Sequence, residues 1–219
     1  MFHPVDHPME RGWPGRIDGD HVVELAAQTL QSFFTGGGVA REHAVFPLGG
    51  VQFLAPVLHP PSVRVFDDET TFSFANPAAI VGPDAEIDGA RALLPRLAAV
   101  IGADGEIGGF TCLAEWRGRG LMPPKDRDFA LGLGPVVVTP DELDSRAIDV
   151  AVRVDAAEGL RGQAALDWNG ARDLAAEGTR LYPGDLLAGP ALGEVAVAPG
   201  SAVAIELAGI GALTATVRD

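Results

Sequence analysis

The chain has 219 residues, of which 47% are hydrophobic and 21% charged, with 28 glycines, 17 prolines and a formal charge of −14. That length supports a sizeable core, and the glycine and proline content points to short elements joined by many turns. The negative charge repels phosphate backbones and anionic lipid, and no Lys/Arg cluster offsets it, so nucleic acid and membranes are excluded as partners while a cation or a neutral protein surface suits the chain. Cys112 is the single cysteine, which rules out an internal disulfide or a thiolate metal cage and suits a reducing compartment. No signal-like core opens the sequence and no run is long enough to span a bilayer, so the expected location is cytoplasmic.

Residues 1–50 read as a loosely attached N-terminal segment with one helix. In "GDHVVELAAQTLQSFFTGGG", Val22, Leu25, Ala26, Leu30 and Phe33 fall near helical spacing, and three glycines end the run. Residues 51–219 read as a second unit of short β-rich runs between Pro/Gly turns: "FLAPV", "SVRVF", "TTFSFA", "GPVVVT", "IDVAVRV", "EVAVA", "SAVAIELAG" and "GALTATV". One helical pattern interrupts them, in "DWNGARDLAAEGTR", with Trp168, Ala171, Leu174 and Ala175 at apolar positions. The expected class is mainly β with a few short helices. No repeat or low-complexity linker is present.

The blocks "FSFANPAAIVGPDAEI", "AAVIG", "GGFTCLAEWRGRG", "KDRDFALGLGPVVVTPDEL", "LYPGDLLAG" and "APGSAVAIELAGIGAL" follow one another in the order and at roughly the spacing of the fumarylacetoacetate hydrolase family. The chain resembles that family over about residues 50–219. Singly the blocks are common turn chemistry; their shared order carries the resemblance. It implies a mixed β-roll, frequent dimerisation, and a site where Mg²⁺ or Mn²⁺ chelates a 2-oxo acid or 1,3-dicarbonyl while a His–Glu dyad activates water. A hard cation there polarises carbonyl oxygens and neutralises the developing enolate.

Carried over residue by residue, the resemblance places the family's metal-binding Glu-x-Glu pair at Leu94 and Arg96 in "ARALLPRLAAVIG". Leucine has no lone pair to offer, and a guanidinium has no acceptor. No acidic residue lies between Asp88 and Asp104, so the loss does not depend on alignment register. The third ligand position falls at Glu115, which either binds metal weakly or pairs with Arg96. The His-bearing loop that related chains carry between "SVR" and "FSFANP" is deleted, leaving "SVRVFDDETTFSFANP". Asp67, Asp68 and Glu69 read there as a solvated turn or a relocated metal site. Lys125 and Asp128 occupy the family's Lys and Asp positions, either as catalytic groups or as partners of each other, and Arg119 falls on a substrate-binding arginine. The hydroxyl turn that contacts substrate carboxylates becomes "GDLLAGPAL".

The expectation that follows is a family member that has lost the usual divalent-metal C–C hydrolase site. It would act as a degenerate, binding or subunit-partner protein, with no cofactor or only weakly bound Mg²⁺/Mn²⁺, as a homodimer or a heteromer with a family member. The alternative is an active hydrolase, decarboxylase or tautomerase on a small 2-oxo acid or 1,3-dicarbonyl using a remodelled site with Arg96, Glu115 and Lys125, in which Glu115, Lys125 and Asp128 are catalytic and Arg96 and Arg119 bind substrate. In a third reading Arg96 and Lys125 bind a small anionic ligand directly, taking over the cation's electrostatic role.

Overall fold

The computed structural model describes residues 1–36, 39–118 and 121–219, with backbone alone for 39–42. The N-terminal part contains β1 (Phe2–Pro4), β2 (Gly15–Asp18), β3 (His21–Ala26), α1 (Leu30–Phe34), β4 (Val39–Pro47) and β5 (Val51–Phe53). Strands β2, β3 and β4 form an antiparallel sheet, and β1 pairs with β5. The helix expected to begin near Val22 is therefore corrected to Leu30–Phe34 alone. Val22, Val23 and Leu25 bury their side chains from a strand in register with β4. Their spacing suits either conformation over so short a stretch, and β-branched Val22 and Val23 favour the extended one. Thr29 starts α1 by accepting the Ser32 N–H at 3.0 Å, and the Ser32 hydroxyl oxygen accepts the Thr29 N–H at 3.0 Å. Phe2, Trp13 and Phe46 form a small aromatic core for this part.

The rest of the chain forms β6 (Val63–Phe66), β7 (Phe72–Ala75), β8 (Ile80–Val81), β9 (Ala85–Asp88), β10 (Ala90–Ile101), β11 (Ile107–Gly118), β12 (Leu131–Val138), β13 (Ile148–Val154), β14 (Ala157–Ala164), α2 (Trp168–Ala176), β15 (Leu186–Ala188), β16 (Val195–Ala196), β17 (Ala202–Leu207) and β18 (Gly211–Arg218). An eight-stranded sheet runs β7-β6-β15-β10-β11-β12-β8, with β16 also on β10, and a five-stranded sheet runs β14-β13-β17-β18-β9. Pairs β6–β15, β8–β12 and β9–β18 are parallel and the others antiparallel, so the chain is mainly β with mixed sheets, as its sequence leads one to expect. Among the described residues no helix is long and apolar enough to cross a membrane.

The long strands β10 and β11 are buried on both faces, which is why "LAAVI" and "FTCLA" read as unbroken apolar runs. One face packs Leu93, Leu97, Phe110, Cys112 and Trp116 into the main core; the other packs Ala98, Val100 and Leu113 against Val63, Leu131 and Leu186. Pro95 is unusual in a central strand, because it cannot donate to a ladder. It sits where β10 changes neighbours, between the β16 pairing at Leu93 and the β15 pairing at Ala98, and its carbonyl accepts the Leu192 N–H. Cys112 is fully buried, and desolvation pushes its thiol well above the usual range. Native protein is expected to resist iodoacetamide at pH 8 and to take up one label per chain in denaturant; rapid native labelling, read by mass spectrometry, would contradict this packing.

Candidate functional site

Antiparallel pairing of β10 with β11 sets Leu94 directly across from Glu115 and Arg96 across from Leu113. Leu94 and Arg96 are two residues apart on one strand, so they share a face. Three positions therefore meet in one patch of sheet: a leucine, an arginine and a glutamate. Arg96 and Glu115 are each 3% exposed.

The ion pair is bidentate on the arginine side. Arg96 Nε donates to Glu115 Oε2 at 2.9 Å and Nη2 lies 2.8 Å from the same oxygen, while Nη1 donates to the carbonyls of Phe66 at 3.1 Å and Gly189 at 2.8 Å. Glu115 Oε1 lies 2.6 Å from Arg117 Nη2. Arg117 continues the chain of charges to Asp126 Oδ2 at 3.1 Å, and Asp126 Oδ1 accepts from Arg127 Nε at 3.2 Å. Burial draws the Arg96 guanidinium below its usual range, and the Glu115 charge and hydrogen bond oppose that shift. It stays charged at any physiological pH.

The sequence-derived candidates divide into two groups in space. Arg96 and Glu115 come together. Lys125 and Asp128 lie in the loop after β11 and pair with each other at 2.7 Å, with the Lys125 side chain 71% exposed. Arg119 lies outside the described residues. In the shortened loop, Asp68 Oδ1 accepts from the backbone and hydroxyl groups of both Thr70 and Thr71, and the Thr70 backbone bond is the first cause holding its carboxyl below the usual range. Sequence reasoning missed Arg117 and Asp126. Arg117 was accessible through strand periodicity, since it is two residues beyond Glu115 on the same face; Asp126 was not, because a loop brings it back.

The arrangement does not fit a divalent cation. Both oxygens of Glu115 face guanidinium groups, Leu94 contributes no donor atom, and Arg96 puts a fixed positive charge beside the carboxylate. Among the described residues no group of three or more His, Cys, Asp or Glu side chains is placed to hold a metal ion.

Asp126 makes the loop sensitive to acid. Desolvation raises its pKa, but the hydrogen bonds and charges of Arg127 and Arg117 outweigh this and leave it below the ordinary carboxylate value. A depressed carboxylate contributes stability above its unfolded pKa and loses it as pH falls through the folded one, so the effect appears below about pH 4. The Gly118 N–H, which donates to the Asp126 carbonyl at 2.8 Å, is expected to lose hydrogen-exchange protection as the pH falls below about 4, while amides of β10 keep theirs. Equal loss at both places would contradict a local clip.

The family model described as fumarylacetoacetate (FAA) hydrolase C-terminal matches residues 59–218. The chain belongs to the fumarylacetoacetate hydrolase family. No curated protein sequence matches it. Among solved structures, this family member is similar to maleylpyruvate hydrolase from Sphingobium sp. SYK-6, with 21% identity, 95% of this chain and 97% of that chain covered, and a TM-score of 0.78. It is similar to 5-carboxymethyl-2-hydroxymuconate delta-isomerase from Mycobacterium smegmatis at 23% identity, covering 99% and 97%, TM-score 0.77. Fumarylacetoacetate hydrolase from Exiguobacterium antarcticum aligns at 20% identity, covering 93% and 94%, TM-score 0.77. The Sphingobium protein has also been solved in complex with manganese(II) ion and pyruvate. These likenesses establish a shared fold, within which this chain places arginine beside Glu115.

Proposed function

We propose that this family member has given up metal-dependent C–C chemistry and serves as a binding or subunit-partner protein, as a homodimer or in a heteromer with another family member. The observation that carries the reading is the Arg96–Glu115 pair. Where the family resemblance asks for carboxylates around a dication, a guanidinium supplies the positive charge permanently, and its donors go to Glu115 and two backbone carbonyls. With so few of its N–H groups left over, Arg96 is also poorly equipped to clasp a small anion. Lys125 is solvated and paired with Asp128, which supports a structural role over a part in a closed catalytic pocket.

The test combines calorimetric titration of purified protein with Mn²⁺ and turnover assays on oxaloacetate and an acylpyruvate. The expected result is no saturable one-to-one metal binding at micromolar concentrations and no turnover above buffer. Stoichiometric Mn²⁺ with turnover that disappears in Glu115→Gln would overturn the reading.

A further inference from the structure

A second feature lies away from Glu115. Strand β12 pairs with Glu115 at Leu131 and with Phe110 at Val138, and its extra residues are taken up in a bulge, so its two ends are about 17 Å apart, the span of five β11 steps at roughly 3.3 Å per residue. At the Val138 end the N-terminal part and the main sheets enclose a cleft of about 810 Å³. That volume lies within the roughly 300–1,000 Å³ range of sites that bury one small organic molecule.

The cleft has an apolar interior and an acidic edge. Phe33 and Phe34 of α1, Val136 and Val138 of β12, Phe53 and Ile210 line it, while Asp141, Glu142 and Asp18 stand at its margin with Arg16. Phe33 and Phe34 are half-buried, so the aromatic surface is neither sealed in the core nor fully wet. Arg16 lies 3.6 Å from Asp18. Among the described residues Asp141 and Glu142 are in no ion pair, both are exposed, and they follow Thr139 in one turn. The Thr139 hydroxyl, followed by a backbone amide, keeps the Asp141 carboxyl below its usual range, so the margin is anionic at neutral pH. A chain carrying −14 adds a long-range field of the same sign, which draws cations to the surface and repels carboxylates.

We infer that the cleft between α1 and the Val138 end of β12 binds a small organic cation, an aromatic or branched apolar body bearing an ammonium group. The body is desolvated against Phe33, Phe34 and Val136, and the ammonium is held at the rim by Asp141 and Glu142. Apolar burial supplies most of the attraction, and the rim selects the sign of charge. This site is independent of the metal question, since none of its residues belongs to the Arg96–Glu115 network.

The experiment compares 2-naphthylmethylamine with 2-naphthoate, two ligands of one aromatic body and opposite charge, by calorimetric titration of the full chain. One amine is expected to bind per chain, at least about tenfold more tightly than the carboxylate at low salt, with the gap shrinking in 0.5 M NaCl. In the variant Asp141→Asn/Glu142→Gln, whose changes are on exposed side chains, the amine is expected to lose about tenfold in affinity with an unchanged melting temperature. Absence of amine binding at millimolar concentration would overturn the inference, as would equal binding of both ligands or amine affinity indifferent to the double substitution.

Discussion

Arg96→Met is expected to lower stability by about 3 kcal/mol, near the lower end of the cost of breaking a buried ion pair, because Arg117 still covers Glu115 Oε1. At roughly 2–4 °C per kcal/mol for a chain of this size, the melting temperature falls by about 6–12 °C. The variant leaves a carboxylate oxygen and the carbonyls of Phe66 and Gly189 without the donors that Arg96 provides. Removing both charges in Arg96→Met/Glu115→Leu is expected to regain most of the loss, since an apolar replacement of a buried pair is often close to neutral. Urea unfolding of the two variants and of Glu115→Leu closes a double-mutant cycle. If Arg96→Met stays within 1 kcal/mol of the starting protein, the pair is not the structural element described above.

The second large effect runs in the opposite direction. Leu94→Glu/Arg96→Glu sets three carboxylates in one patch, two on β10 and Glu115 across from the first. Without metal their mutual repulsion and burial are expected to destabilise the fold by several kcal/mol. With Mn²⁺ at about a hundred times its dissociation constant, the variant regains about 2.7 kcal/mol, a rise of roughly 5–10 °C that the starting protein does not share. Thermal melts with Mn²⁺ and with EDTA read this directly. A metal response of equal size in both proteins, or none in a folded variant, would show that these positions do not converge as the strand pairing requires.

Much of this was written locally. Alternation in "IDVAVRV" and "SAVAIELAG" and the punctuation by Gly and Pro mark the strands, since a side-chain period of two and a turn's backbone demands are properties of a few adjacent residues. The helix at Trp168–Ala176 shows its buried Trp168, Ala171 and Ala175 at helical spacing. The N-terminal part is ambiguous locally because Val22 and Leu25 fit two periods equally, and the partner strand that chooses between them lies beyond α1. The edge strands β9 and β14 were missed for a related reason. "AEID" alternates but is only four residues long, "AEGLRGQA" is mostly exposed with little apolar patterning, and pairing with β18 and β13 is what orders them.

At the site the same division holds. The absence of carboxylates at Leu94 and Arg96 is a fact of composition and needs no coordinates, because no side chain between Asp88 and Asp104 can donate a charged oxygen. Where the Arg96 charge goes is a matter of tertiary structure. Glu115 is nineteen residues away, Phe66 thirty and Gly189 ninety-three, and only the strand pairing and the approach of β6 and the segment after β15 bring them within hydrogen-bond reach. A lost ligand can be read from residue type alone, whereas a buried ion pair depends on low dielectric and on a donor and its acceptors brought together from four separate stretches of chain, and these exist only once the sheet has formed.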